Sequence, residues 1–440
     1  MNVTSLAKLT GPVFQPDDAG YAEEVAGFQT AVRSEPAVVV GAATAADVVA
    51  AIRFATEHDL PVAVQATGHG LAVPADGGLL ISTRRLDSVE IDPAAGTARV
   101  GAGVRWGAVI EAAAAHGLAP LSGSSPDVGV VGYTLSGGFG LMARRYGRAA
   151  DHVRALDVVT PDGILRHVTP ESDLFWALRG GRDNFGVVTS MEFGLVPVTS
   201  LYGGGLYFGT EHLAAVLRAW RDWSSDAPDE VTSSVALIPF PGLEAIPEPL
   251  RGKHIAHIRI AYLGSDGDKL VAPLRAAAPA LMDTLDVLPF TASGSIASEP
   301  PHPHGYQGTN ATVRELNDEM IDAILELAGP SAAVPTVLLI DLLGGELARP
   351  PAVPGVGWDS AAAFTVRSLS LVDEIGPDSV RRAHAKLFDA LAPWSTGRLL
   401  SFLYGESGEP VYSGPDRKRL ASLKHEYDPK NLFRLTHRIA

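Results

Sequence analysis

The chain has 440 residues, of which 46% are hydrophobic and 19% charged, and this length and composition allow one large apolar core or two moderate ones and favour two lobes. The formal net charge of −15 argues against nucleic acid as a partner, because binding to phosphates needs an excess of Lys and Arg. The chain has no cysteine, which excludes disulfides, thiolate nucleophiles and cysteine-ligated metal centres, so any redox chemistry requires a bound organic cofactor.

Membrane and export signals are also missing from the sequence. No apolar run reaches the roughly 18 residues that a membrane-spanning helix requires. The N-terminus lacks the basic and then apolar pattern of a signal peptide. We therefore expect a soluble cytoplasmic protein that does not bind membranes.

The first predicted unit is a strand, a helix and a second strand. Val38, Val39 and Val40 form a buried strand, and Thr44 is placed to cap a helix with Asp47 three residues later. The second strand, 61–64, is predicted parallel to the first. It leads directly into 65–70, a turn of small residues with His69 at its tip. Ligands bind at such strand ends in α/β sheets.

The following elements are predicted from apolar patterns and turn residues. The first half adds strands at 79–82, 98–100 and 187–193, a helix at 106–116 ended by Gly117, and a hairpin of 155–160 with 164–168. Beyond about residue 198 we predict strands at 235–238, 255–263, 337–343 and 364–371, with helices near 211–225, 268–283, 313–328 and 377–392. This order predicts a mainly antiparallel sheet with helices on one side.

Three glycine-rich segments, 65–70, 122–140 and 180–186, are suited to anion binding. Residues without bulk let backbone N–H groups point at a pyrophosphate without help from a positive side chain. The segments follow neither the nicotinamide pattern nor the P-loop pattern. Taken singly, each could equally be a tight turn in a large sheet.

Taken in order, these segments resemble the FAD-binding domain of the vanillyl-alcohol-oxidase (PCMH-type) superfamily, in its berberine-bridge-enzyme-like branch of bacterial type. The resemblance covers nearly the whole chain and is most specific in 37–197. The residues that carry it are Gly68-His69, Asp76-Gly77-Gly78, Val128-Gly129, Ser136 to Gly140, Arg145-Tyr146-Gly147, Asp173 to Gly181, Asn184 to Thr189 and the closing segment Leu423 to Arg434.

The resemblance implies an α+β fold with two lobes. An FAD-binding domain made of 1–197 and 396–440 would be interrupted by a substrate-binding domain, 198–395. It also implies a covalent bond from His69 to the flavin 8α-methyl. A cysteine of the second loop often forms a second bond in this branch, but Ser125 stands at that position. We therefore predict FAD with a single attachment, through His69.

The resemblance also implies a set of cofactor-binding positions and shows where this chain departs from its relatives. The Gln65-Ala66-Thr67 sequence replaces the usual Arg-Gly-Gly pattern, and Leu399 and Ser401 stand in place of a common Tyr-x-Asn. The predicted cofactor-binding residues are His69, Gln65, Ala66, Thr67, Gly68, Gly70, Ser124, Ser125, Val128, Gly129, Gly132, Tyr133, Gly137, Gly138, Gly140, Asn184, Gly186, Val187, Val188 and Ser401.

The catalytic base cannot be carried over, so it is predicted from side-chain chemistry. Tyr404 is the first candidate and Glu406 the second, because oxidation of an alcohol needs a base for the hydroxyl proton. Tyr404 could also be a half-buried strand tyrosine, and Tyr133 could either edge the flavin or belong to the core.

Other polar residues could belong either to the site or to the surface. His302, His304 and Tyr306 follow a proline-rich loop and lack a third ligand at zinc spacing, so no metal site is predicted. Three strand residues would face either the pocket or solvent, and alternation does not decide between them: Arg259, Asp341 and Arg367.

The predicted function is an FAD-linked oxidase. It would take hydride from an alcohol or amine carbon of a small secondary-metabolite, alkaloid or sugar-type molecule to flavin N5, with O2 as electron acceptor and H2O2 as product. The missing cysteine disfavours bulky oligosaccharides, because double attachment accompanies a more open pocket in this branch. The alternatives are a dehydrogenase, a flavin oxygenase or a non-catalytic flavin-binding protein. Substrate identity and oligomeric state are left open.

Overall fold

The N-terminal sheet carries the strand that precedes His69. A computed structural model describes residues 2–357, 361–405, 412 and 414–439. The strands of this sheet are β1 (Val13–Phe14), β2 (Val38–Gly41), β3 (Val62–Gln65) and β4 (Leu79–Ser82). Their order is β1, β2, β4, β3, with β2, β4 and β3 mutually parallel. The two predicted strands are thus parallel, but β4 lies between them.

A second, antiparallel sheet supports the other glycine-rich segments. Its strands are β5 (Val89–Asp92), β6 (Thr97–Gly101), β7 (Val153–Val159), β8 (Leu165–Val168) and β9 (Val187–Gly194). The order is β5, β6, β9, β7, β8. The predicted hairpin is present as β7 and β8, paired through Val159 and Leu165.

The third sheet is antiparallel and forms the other lobe. Its strands are β10 (Ser200–Phe208), β11 (Val231–Pro239), β12 (His254–Tyr262), β13 (Ala280–Asp283), β14 (Asp286–Pro289), β15 (Tyr306–Val313), β16 (Val337–Leu342), β17 (Phe364–Leu371) and β18 (Ser395–Gly397). The order is β13, β10, β12, β11, β16, β17, β15, β18, with β14 also pairing β10.

The helices pack on these sheets. They are α1 (Tyr21–Val25), α2 (Ala45–Glu57), α3 (Trp106–Ala114), α4 (Val130–Leu135), α5 (Ala143–Tyr146), α6 (Asp173–Gly181), α7 (Leu213–Ser224), α8 (Gly267–Arg275), α9 (Asp318–Ala328), α10 (Pro377–Leu391) and α11 (Gly414–Tyr427). Among the described residues, no helix combines the length and the apolar character needed to cross a membrane.

Two element predictions beyond residue 198 are wrong in part. The helix predicted to 283 ends at Arg275, and 280–283 form strand β13. The helix predicted from 313 begins at Asp318, because Asn317 accepts a hydrogen bond from the Met320 N–H and caps it there. Strands β10 and β15 were not predicted. Both are rich in glycine or small polar residues, which weakens the apolar pattern of a strand.

Each lobe has a core, which is the second of the two arrangements that the composition allows. One face of the third sheet packs against helices α7 to α10 around side chains such as Trp220, Ile258, Ile340 and Val366, all fully buried. The opposite face of this sheet therefore remains for the other lobe. The α+β fold class is confirmed, and the exact domain boundaries stay a prediction.

Candidate functional site

His69 lies on a loop whose conformation depends on glycine. Strand β3 ends at Gln65, and Gly68 follows with φ +72°. A Cβ atom at Gly68 would lie 2.6 Å from the Cα of Gly27, so no side chain fits there. The N–H groups of Phe28 and Gln29 donate to the carbonyls of Thr67 and Gly68, which holds the loop against the N-terminal segment.

The imidazole of His69 is oriented and kept neutral. It stacks on the Phe28 ring with 3.9 Å between centroids, and its Nδ1 lies 2.9 Å from Thr67 Oγ1. Burial lowers the pKa of His69 to about 4, with a further lowering from the Arg105 cation. At neutral pH the ring keeps the lone pair that a nucleophile needs.

Backbone donors around His69 fit a dinucleotide pyrophosphate. Within the described part of the chain, the N–H groups of Thr67, Gly68, His69 and Gly70 donate to no protein atom. Partly buried backbone donors require an acceptor, and a run of them at a loop suits an anion. This donor set would suit the phosphates of a dinucleotide such as FAD.

The second glycine-rich segment lies directly beside the first. A Cβ atom added at Gly129 would lie 3.5 Å from Thr67 Oγ1, so the two segments are in close contact. The N–H groups of Gly129 and Gly132 also have no acceptor among the described protein residues. Ser124 and Ser125 lie at the start of this segment, where Ser124 Oγ donates to Glu299 Oε1 at 2.6 Å. The first two segments therefore form one candidate cofactor cradle.

A tight turn at 136–140 completes this cradle. Gly138 has φ +77°, and a Cβ there would lie 2.6 Å from the Tyr133 ring. Tyr133 also packs edge-on against Trp106, and its buried hydroxyl has no partner among the described residues. Ser401 Oγ donates to the Ser136 carbonyl at 2.7 Å. Tyr133 is thus packed in the core beside the glycine turn, and its contact with a flavin stays a prediction.

The third segment brings a cation to the His69 loop. Arg182 reaches the Gly70 carbonyl at 3.5 Å and lines a cavity with Gln65, Asp183 and His437. The Nε2 atom of His437 is buried without a described partner, and burial lowers its pKa to about 3. Sequence reasoning did not single out Arg182 or His437.

Several predicted cofactor residues use their side chains within the protein. The amide of Gln65 donates to the carbonyls of Val25 and Ala26. The amide of Asn184 donates to Gly181 and His437. Val187 and Val188 are buried in two hydrophobic clusters. The donor groups of the Gln65 and Asn184 amides are therefore engaged within the protein, and the cofactor contacts of these four residues stay a prediction.

Two tyrosines connect the His69 loop to the third sheet. Tyr306, the first residue of β15, donates its hydroxyl to the His69 carbonyl at 2.7 Å. Tyr404 pairs with Gly308 of the same strand, and its ring meets Tyr306 edge-on at 5.6 Å. The structure therefore places Tyr404 beside the His69 loop. Glu406 lies outside the described residues.

The acid-base state of Tyr404 differs from what a base requires. Burial raises its pKa to about 12, although the Arg367 cation acts in the opposite direction. The phenol therefore holds its proton at neutral pH. It is suited to donate a hydrogen bond to a substrate rather than to remove a proton.

The helix-free face of the third sheet carries the charged residues that the sequence left undecided. Arg367 pairs with Asp341, with Nε and Oδ2 separated by 2.7 Å, and its guanidinium lies 4.0 Å from the centre of the Phe402 ring. Arg259 is in register with Ser234, which is in register with Asp341. All three charged residues thus face the FAD-binding lobe instead of open solvent.

The comparisons with known proteins follow the same division of the chain. Residues 36–169 match a family model described as FAD binding domain, and residues 405–440 match one described as berberine and berberine like. The (R)-6-hydroxynicotine oxidase of Paenarthrobacter nicotinovorans is 27% identical over 98% of this chain and 97% of its own. The chitooligosaccharide oxidase of Gibberella zeae is 25% identical over 95% and 91%.

A solved structure supports the same fold. The crystal structure of 6-hydroxy-D-nicotine oxidase from Arthrobacter nicotinovorans superposes with a TM-score of 0.84 at 25% identity, covering 100% of both chains. The resemblance predicted from the sequence motifs is thereby confirmed, including FAD as the cofactor class.

Proposed function

We propose that this chain, an FAD-dependent oxidoreductase similar to berberine-bridge-enzyme-like proteins, is an oxidase that takes hydride from an alcohol or amine carbon of a small organic molecule. O2 would accept the electrons and leave as H2O2. The similarity to curated oxidases over nearly the whole chain carries this proposal, and the hydrogen bond from Tyr306 to the His69 carbonyl joins the proposed cofactor loop to the sheet that faces it.

The chain's own residues support single attachment of the cofactor. When bound, FAD supplies the hydride acceptor and the path of electrons to O2. His69 has the neutral ring that attachment requires, with Phe28 and Thr67 fixing its orientation. No cysteine exists to make a second bond. We therefore keep the single histidyl attachment as part of the proposal.

The protonated phenol of Tyr404 favours an amine over an alcohol as the reacting group. An alcohol must lose its hydroxyl proton as hydride leaves, whereas a neutral amine has a free lone pair to assist. Tyr404 is protonated at neutral pH and can donate a hydrogen bond, but its phenol is a weak base for the hydroxyl proton of an alcohol. The relative named (R)-6-hydroxynicotine oxidase is consistent with this preference. An alcohol substrate is the second candidate.

The attachment is tested by acid precipitation. We expect yellow colour to stay with the denatured wild-type protein and mass spectrometry to find flavin on the His69 peptide. His69→Ala should lose both, while His116→Ala, at an exposed position, should keep both. A colourless wild-type precipitate that releases free FAD would contradict covalent attachment.

The reaction class is tested by following the flavin absorbance. A screen of small amines and alcohols under anaerobic conditions should identify compounds that bleach the flavin. Admission of air should then restore the colour with one H2O2 formed per flavin. Reoxidation without peroxide would favour a dehydrogenase or an oxygenase, and purification without any flavin would favour a non-catalytic protein. The cytoplasmic location stays a prediction.

A further inference from the structure

Arg259 occupies the middle of the sheet face that looks toward the FAD-binding lobe. It lies on β12 between the fully buried Ile258 and Ile260, whose side chains point to the helix-covered core. Because side chains alternate along a strand, Arg259 points to the opposite face. His257 shares that face and stacks on the Tyr207 ring with 3.9 Å between centroids.

The Arg259 guanidinium has a hydrogen-bond partner at Nε, whereas its two terminal nitrogens have none among the described residues. Its Nε donates to His257 Nδ1 at 3.3 Å. Among the described residues, neither terminal nitrogen has a hydrogen-bond acceptor, and no carboxylate lies within ion-pair distance. Burial lowers the pKa of Arg259, in line with a cation that lacks a close counter-ion.

The carboxylates nearest to Arg259 have other partners. Asp341 is paired with Arg367 and accepts a hydrogen bond from Thr365 at 2.6 Å. Glu299 accepts from Ser124 at 2.6 Å. An arginine held in a buried site without a close counter-ion is costly unless an anion fills its fork of N–H donors.

We propose that Arg259 binds a carboxylate of the substrate. The inference rests on the proposed function, because it assumes that this sheet face lines the substrate pocket. The planar guanidinium presents two parallel N–H donors, which match the two oxygens of a carboxylate. The substrate would then be a small organic acid. The amine or alcohol carbon that the enzyme oxidises would lie at a distance from its carboxylate.

Ligand binding tests this inference without turnover. Benzoate and benzamide have nearly the same shape, differ in charge and are not oxidised, so the purified flavoprotein is titrated with each while the flavin absorbance and the melting temperature are followed. We expect benzoate to bind about tenfold more tightly than benzamide, as one charge-assisted pair predicts. Arg259→Gln should abolish that preference, and Arg259→Lys should keep part of it.

Two further variants separate the charge at Arg259 from general effects. Arg33→Gln removes an exposed arginine that is distant from Arg259 in the sequence, and it should leave the preference for benzoate over benzamide unchanged. Glu299→Gln should strengthen benzoate binding, because it removes a negative charge that faces Arg259. Arg259→Gln should fold, since a neutral amide is easier to bury than an unpaired guanidinium.

The results that would contradict carboxylate binding at Arg259 are distinct from those that would contradict the proposed oxidase activity. Equal affinity for benzoate and benzamide, no saturable benzoate binding, or an unchanged preference in Arg259→Gln would overturn the carboxylate assignment. None of these results depends on peroxide formation. Conversely, a chain that makes no peroxide but discriminates benzoate through Arg259 would retain the anion site and lose the oxidase proposal.

Discussion

Individual residues at this site are tuned by burial more than by neighbouring charges. Burial lowers the pKa of His69 to about 4 and raises that of Tyr404 to about 12. The first shift suits a residue that must be neutral to form a bond, and the second removes a residue from the role of resting base. The same physical cause thus supports one predicted role and opposes the other.

The phenol of Tyr404 gives a direct kinetic prediction. Tyr404→Phe should lower kcat by less than about tenfold, the effect of one lost hydrogen bond. The pH profile should keep its shape from neutral to moderately alkaline pH, since the phenol with a pKa of about 12 does not titrate there. Steady-state rates across this range provide the measurement.

A general base at this position would behave differently. Its removal would reduce kcat by about a hundredfold or more and remove one limb of the pH profile. Tyr262→Phe is a matched control, because Tyr262 packs against the helix-covered core of the same sheet. A large loss in Tyr404→Phe alone would restore the base assignment.

Arg182 combines an unusual backbone conformation with a position in the site. Its φ is +53° and its ψ −144°, a combination that only glycine adopts without strain. Arg182→Gly should therefore raise the free energy of unfolding by about 1 kcal/mol. Denaturant titration of the flavin-loaded protein measures this change.

Arg182→Ala distinguishes the effect of backbone strain on stability from the effect of losing the Arg182 cation. It removes the guanidinium but keeps a Cβ in the same conformation, so we expect no gain in stability. Equal stability of the Gly and Ala variants would show that the backbone is not strained at this position. A stabilised Gly variant would indicate that strain is kept to hold the cation beside the Gly70 carbonyl.

Helix α2 is the element whose sequence signal was most complete. Thr44 and Asp47 form a reciprocal capping box, as predicted. The Asp47 carboxylate also accepts from the backbone N–H groups of Thr10, Gly11 and Ala43 at 2.9 to 3.1 Å. It therefore fixes the N-terminal segment to the start of the helix, a role that local sequence does not reveal.

This network predicts a large local effect. Asp47→Ala should lower the free energy of unfolding by roughly 3 kcal/mol, because several backbone donors lose their acceptor in a buried site. Thermal or denaturant unfolding measures the loss. The exposed Asp17→Ala should change stability by less than about 0.5 kcal/mol. Similar effects of the two substitutions would contradict the network.

The third sheet shows what alternation can and cannot predict. Two polar residues at alternate positions share one face in each strand, His257 and Arg259 in β12 and Thr365 and Arg367 in β17. The pattern does not by itself single out this face, because Ser368 and Ser370 lie on the other face of β17. Whether water or another lobe covers that face depends on residues far along the chain, such as Phe402.

At the scale of the whole molecule, the buried histidines link folding to pH. Burial lowers the pKa of His437 to about 3 and that of His257 well below the ordinary value of 6.5, whereas His69 is left out because the proposed flavin bond would change its titration. Between pH 6.5 and about 3 the unfolded chain binds protons that the folded chain does not. The free energy of unfolding should therefore fall as the pH is lowered through this range.

Denaturant midpoints at neutral pH and near pH 5 measure this dependence. Carboxylates with lowered pKa values, such as Asp47, contribute only at more acidic pH, so the change near pH 5 reports on the histidines. His437→Gln should show a weaker dependence than the wild type. A midpoint that stays constant from neutral pH to pH 5 would contradict neutral burial of these rings.

The sequence by itself determined the FAD-binding lobe and the loop that presents His69. The β3 strand, the glycine turns and His69 are local features, because a turn conformation and a run of free N–H groups depend on neighbouring residues. The resemblance that these motifs carry extended this prediction to the fold and the cofactor.

Only the tertiary structure decided how the other lobe completes the site. Tyr306 reaches the His69 carbonyl from 237 positions away, and Arg259, Asp341 and Arg367 face the FAD-binding lobe only because helices cover the opposite side of their sheet. The raised pKa of Tyr404 likewise comes from its burial by distant segments. Local sequence sets the backbone and the order of side chains, whereas burial and charge at the site arise from contacts between distant segments.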